Sequence, residues 1–275
     1  MATLANTFEQ LHRDLAAAVV ACRADPSSHA VHSLRSSTRR VEALSRKVLE
    51  EHPRALRLRG KLENALDELR KVRTAAGRVR DLDVQSLLIV EIAADVRAVG
   101  SIRQRKELRE DCAELDAVLR RRRKRVAERF LGMLEDEEPR LERALDRIPK
   151  AMEGLHGTST LKTAMSWVQR NSLELNDTSS ESLHCYRKRI KAARYLAEMQ
   201  GSSPVATRLA NQLKKVLDAI GRWHDLKLLA QAAKALLGKQ AMLAGFIREE
   251  RDRALQRAIH AAGSMRPRKS SLAPG

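Results

Sequence analysis

Aromatic side chains are scarce in this chain: two Trp, two Tyr and three Phe among 275 residues. Proteins that hold single-stranded nucleic acid stack bases on such rings, at about 1–3 kcal/mol per base. So few rings argue against that mode, whereas a ligand made only of phosphate needs none. Cysteine is equally sparse. Cys22, Cys112 and Cys185 are an odd number without paired spacing, which speaks against a disulfide framework or a zinc site and suits a reducing cytoplasm. No apolar run approaches the roughly 18 residues needed to span a membrane. The stretch Leu15–Cys22 (LAAAVVAC) imitates a lipoprotein processing site, but Glu9 and Asp14 spoil the positive flank a signal peptide needs. An amphipathic first helix is expected there instead. Phosphate-loop, dinucleotide, zinc-protease and nucleophile-elbow motifs are all missing, so the chain is read as a non-enzyme that needs no cofactor.

Positive charge is abundant. Lys and Arg number 53 against 35 Asp and Glu, a formal charge of +18. Such an excess points to anionic partners: nucleic acid, anionic lipid or polyphosphate. Gly and Pro are few (12 and 7), no period-2 segment of useful length occurs, and helical periodicity dominates, so the fold class is all-α. The pattern predicts helices near 3–24, 28–50, 54–77, 82–99 and 102–135, then near 139–152, 158–174, 179–200, 204–220, 224–238 and 241–262. Asp25-Pro26 reads as a cap followed by a first-turn proline, Thr178–Glu181 has capping-box spacing, and Gly77 and Gly221 read as helix ends. Asp81 and Asp225 then read as caps of the helices that follow, in preference to metal ligands shared with Asp83. Acids, prolines and glycines cluster in 135–157, which divides the chain into halves 1–136 and 137–263. Residues 264–275 lack an apolar face and form an expected disordered basic tail.

Two strings recur in order, which implies duplication. VHSLRSSTRRVEA (31–43) aligns with LHCYRKRIKAARY (183–195), matching His32 with His184, Arg35 with Arg187 and Arg39 with Lys191. LRKVRTAAGRVRDL (69–82) aligns with LKKVLDAIGRWHDL (213–226), matching Arg70 and Lys71 with Lys214 and Lys215, Gly77 with Gly221, Arg78 with Arg222, Arg80 with His224, and Asp81 with Asp225. At about 100° per residue His32, Arg35, Arg39 and Arg46 share one helix face, opposite Leu34, Val41, Leu44 and Val48. His184, Arg187, Lys188, Lys191, Arg194 and Tyr195 form the matching row, opposite Ile190, Ala193 and Leu196, with Arg189 off it. Arginine forks pair two phosphate oxygens at once and lysine adds a compact charge, so a row of them suits a ligand that repeats its charges. The run Arg120–Arg125 (RRRRKR) goes all around a helix and reads as a solvated surface.

The strings H-x-x-R-x-x-x-[RK] and G-R-x-[RH]-D-L, each present twice, resemble those of the CHAD family (conserved histidine α-helical domain), over a stretch from the first helix to about His260. That resemblance implies two tandem antiparallel helical bundles related by a pseudo-twofold, with basic helices facing a shared groove. It also implies inorganic polyphosphate as ligand and association with polyphosphate granules. Carried over, the binding positions are His32, Arg35, Arg39, Arg40 and Lys71 in the first half, and His184, Arg187, Arg189, Lys191, Arg194 and Lys215 in the second. Periodicity and the matched strings add Arg46, Lys188 and Lys214. Glu42 departs from the pattern, standing opposite Arg194, and Ala192 stands opposite Arg40. The chain is read as a stand-alone domain without the triphosphate-tunnel (CYTH) domain of many relatives, since it has no E-x-E-x-K string. Two further readings stay open: backbone-only nucleic-acid binding, for which the tail is the best argument, and a scaffold for a protein partner in phosphate metabolism.

Overall fold

The computed structural model describes residues 3–95, 100–173, 179–201, 203–238 and 241–265. Among them the chain is helical and contains no strand: α1 Leu4–Ala24, α2 Ser28–Glu51, α3 Leu56–Asp95, α4 Ile102–Asp146, α5 Ile148–Met152, α6 Thr160–Leu173, α7 Ser180–Glu198, α8 Pro204–Leu237 and α9 Met242–Gly263. The all-α reading of the periodicity holds. Two compact units are present, one built from Met1–Gly157 with Asp225–Arg248, the other from Thr158–His224 with Glu249–Gly275.

In the first unit α3 packs most extensively on α4, and α2 lies against both α1 and α3. Each helix turns an apolar stripe inward: Phe8 and Leu15 from α1, Leu34, Val41, Leu44 and Val48 from α2, Leu62 and Leu69 from α3, Phe130 and Leu134 from α4. Fully burying side chains of this size contributes about 1.5–3 kcal/mol each, which outweighs the weak intrinsic preferences of the polar faces. The first helix is the amphipathic element expected, with Leu11, Leu15, Val19 and Cys22 inside. In the second unit α6 packs on α7, whose Leu183, Ile190, Ala193 and Leu196 are buried as the spacing requires.

The breaks predicted around Pro26, near Pro53 and in 153–157 are present, but those predicted at Gly77, at Gly221 and before Pro139 do not exist. Gly77 and Gly221 lie in the middle of α3 and α8, so neither helix pair is a pair. Asp81 and Asp225 are therefore interior to helices and cap nothing. Nor does the acidic stretch beginning at Glu135 end its helix: α4 runs through Pro139 to Asp146. The cap of α2 is Ser27, whose hydroxyl accepts from the Ala30 amide at 3.2 Å, while Asp25 is the C-terminal cap of α1. Ser179 caps α7, accepting from the Ser182 amide at 3.2 Å; Thr178, proposed for that role, lies outside the described residues. The tail beyond Met265, expected to be disordered, lies outside them too. A reciprocal cap at α4, Ser101 with Gln104, opens the helix that carries the arginine run.

Candidate functional site

The α2 row is real as a surface feature but unequal along its length. His32 and Arg46 are exposed, while Arg35, Arg39 and Arg40 are half-buried. Arg35 is drawn across to α3, where its Nη1 donates to the Arg73 carbonyl at 2.9 Å. That crossing explains Gly77. A Cβ there would collide with the Arg35 guanidinium, so the glycine gives the arginine its passage and has nothing to do with ending a helix. The second unit repeats the arrangement more loosely: Arg187 of α7 lies over Gly221 of α8, and a Cβ at Gly221 would meet its Nη2 at an ordinary 3.6 Å.

Further along α2 the cations are committed to carboxylates. Glu42 accepts from Arg46 (Nε 3.1 Å, Nη2 2.9 Å) and forms an ion pair with Arg73 of α3. Burial pulls the Arg73 pKa below the ordinary arginine value; Glu42 raises it, and the neighbouring charges of Arg39, Arg46 and Arg70 lower it further. Glu42 is thus a carboxylate shared by two arginines, Arg46 and Arg73. Lys71 is clamped in the same way. Its Nζ bonds Glu68 at 3.0 Å and Glu137, reaching over from α4, at 3.3 Å. Those hydrogen bonds, Glu68 first, raise the Lys71 pKa, and Glu137 is held below its usual range by its contacts with Glu68 and then with Lys71.

Between these clamps α3 opens a cleft of about 530 Å³ lined by Asp67, Arg70, Lys71, Thr74, Ala75 and Arg78. Arg70, Thr74 and Arg78 follow one another at four-residue steps, spanning about 12 Å of helix. Among the described residues Arg39, Arg70 and Arg78 make no side-chain hydrogen bond or ion pair, so they can turn to an external anion. Sequence reasoning matched Arg70 and Arg78 between the halves yet left both out of the binding set. Their four-residue step was visible and is the signal that could have found them.

In the second unit His184 is half-buried, with its ring 5.4 Å from that of His224. The histidine of the α7 row thus meets the residue that stands for Arg80; Arg80 itself donates to the Ser28 hydroxyl at 3.1 Å. Lys188 and Lys215 are exposed and make no such bond among the described residues; Lys191 is half-buried. Lys214 pairs with Asp218 at 3.0 Å and Arg194 with Glu198 at 2.7 Å. Arg189, off the row as expected, donates to Asn171 at 3.3 Å. Tyr195 is not part of the row: it is buried, with the Arg194 guanidinium 5.2 Å over its ring.

The run Arg120–Arg125 also needs correction at one position. Five of its residues are exposed, but Arg123 turns inward, pairing with Asp83 at 2.9 Å and donating to the Pro26 carbonyl. Among the described residues no cluster of three or more His, Cys, Asp or Glu is placed to hold a metal ion, and no helix is long and apolar enough to cross a membrane.

Fold and site together define an all-helical protein whose long helices carry basic rows on faces turned away from their cores. The family model for the CHAD domain matches residues 5–234, and the chain belongs to that family. A crystal structure of the CHAD domain from the plant Ricinus communis is similar to it, with a TM-score of 0.61 at 17% identity, covering 95% of this chain and 86% of that one. No curated protein sequence matches the chain.

Proposed function

We propose that this protein binds inorganic polyphosphate through the basic rows of α2, α3, α7 and α8, and that it serves to hold or recruit material at polyphosphate granules in the cytoplasm without catalysing a reaction. The observation that carries the reading is the α3 cleft. Arg70 and Arg78 line it uncommitted among the described residues, no aromatic side chain is among its lining residues, and Arg39 of α2 is a further uncommitted cation of the same unit. A phosphate chain asks for charges at intervals and for hydrogen bonds to non-bridging oxygens, and guanidinium groups supply both. Membership of the CHAD family supports the same ligand. The parallel placements of Arg35 at Gly77 and Arg187 at Gly221 support a duplicated origin, with a basic row in each half.

Competition tests the reading. A fluorescent polyphosphate of defined length is bound to the protein, then challenged with duplex DNA, single-stranded DNA or unlabelled polyphosphate at equal phosphate concentration. The proposal expects polyphosphate to displace the probe and DNA to fail; equal displacement by DNA would make this a general backbone binder instead. A partner enzyme of phosphate metabolism is sought by pull-down from cells grown with and without phosphate.

A further inference from the structure

Aligning His32 with His184 places Glu42 opposite Arg194 and Arg46 opposite Glu198. Both positions form the same i,i+4 ion pair, at 2.9 Å in α2 and 2.7 Å in α7, with the charges exchanged. The exchange is not neutral for a ligand. In α7 the cations run on from Arg187 and Lys188 to Lys191, and Arg194 beyond them is held by Glu198 at 2.7 Å. In α2 they stop at Arg39 and Arg40, and the next position on that face is an acid. The other half also lacks the third member of the α2 group. Arg73 corresponds to Leu217, which is buried, so the bridge from Glu42 to Arg73 has no counterpart.

Resting on the polyphosphate reading, we infer that Glu42 is a specificity-determining residue: an internal counter-ion that reserves Arg46 and Arg73 and ends the phosphate track of the first unit at Arg39. An anion approaching that end meets two arginines already held by a carboxylate that is itself mostly shielded from water, at 15% side-chain exposure. To use them it must displace Glu42 and leave a carboxylate facing phosphate. Ligand density is therefore concentrated on Arg39, Arg70 and Arg78, and the two halves bind unequally.

Substitutions at the matched positions test this. Affinity for polyphosphate of defined length is measured over a salt series for wild type, Glu42→Gln, Arg46→Ala, the double variant and Arg194→Gln. Glu42→Gln is expected to tighten binding about three- to tenfold and to steepen the salt dependence, because freed guanidinium groups then release additional counterions. Arg46→Ala alone is expected to change affinity less than about twofold, and adding it to Glu42→Gln to remove part of the gain. Arg194→Gln, which removes a cation already held by Glu198, is expected to change affinity less than about twofold. Unchanged or weaker binding by folded Glu42→Gln would overturn the inference. If Glu42→Gln proves unstable, a tenfold loss in Arg46→Ala overturns it instead. Failure of wild type to bind polyphosphate under any salt condition would remove the function itself, an outcome distinct from wild-type binding with no gain in Glu42→Gln.

Discussion

Gly77 and Gly221 occupy matched places in the repeated string, yet their surroundings set different outcomes for the same substitution. Alanine at Gly221 gains up to about 1 kcal/mol of helix propensity and meets Arg187 at van der Waals distance. Alanine at Gly77 has the same gain but must evict Arg35 from its bond to the Arg73 carbonyl, a charged hydrogen bond worth about 1.5–3 kcal/mol. Chemical denaturation should find Gly221→Ala more stable than wild type and Gly77→Ala less stable; equal shifts would contradict the crossing of Arg35. Lys47 makes a second residue-scale case. Its side chain is 0% exposed and paired with Glu51, at 18% exposure, beneath Gly157. Removing the carboxylate strands a buried ammonium, so Glu51→Ala should cost about 3–5 kcal/mol, whereas Lys47→Met should be far milder.

The buried thiols carry a pH signature. Desolvation raises Cys22 and Cys112 to about 11, against an ordinary value of 9.0. A thiol that stays protonated in the fold while ionising in the unfolded chain stabilises the fold fully below pH 9. That contribution is lost as pH climbs from about 9 to 11. Denaturant midpoints should therefore fall over this interval, and less steeply in a Cys22→Ala/Cys112→Ala variant. Exposed Cys185 should be the thiol that an alkylating reagent labels in the native protein.

At the scale of elements, α4 shows how a run of like charges can conceal a structural member. Arg123 ties α4 to Asp83 of α3 and to the Pro26 carbonyl between α1 and α2. The Asp83 side chain is only 9% exposed, so Arg123→Ala should cost roughly 3 kcal/mol, while Arg121→Ala should stay within about 0.5 kcal/mol. Thermal melts of the two variants would separate them. What was legible here follows the reach of each signal. Periods of 3.6 residues named the helices and the buried faces of α2 and α7, because burial repeats locally. Gly77, Gly221 and Pro139 misled because their propensities are local too, and packing along long helices overrode them. Pairings such as Glu42 with Arg73, Glu137 with Lys71 and Asp83 with Arg123 join residues 31, 66 and 40 apart. No spacing rule reaches that far, so the rows could be seen in the sequence but not which cations are already spent on carboxylates.

For the molecule as a whole the question is whether a net charge of +18 acts diffusely or through a defined array. Diffuse charge would bind any polyanion in proportion to its phosphates, and every lost cation would count alike. The proposal takes the second view, on the ground that Arg39, Arg70 and Arg78 stand uncommitted among the described residues, whereas neighbours equal in charge are held by Glu42, Glu68 and Glu137. The deciding measurement is a polyphosphate titration at two salt concentrations of wild type, Arg39→Ala/Arg70→Ala/Arg78→Ala, and Arg121→Ala/Arg122→Ala/Arg125→Ala as a charge-matched control, each checked for helicity. The first variant is expected to lose at least about thirtyfold in affinity and much of the salt dependence, and the control less than about threefold. Equal losses in both variants would contradict the account and leave the chain's overall charge as the whole of its binding.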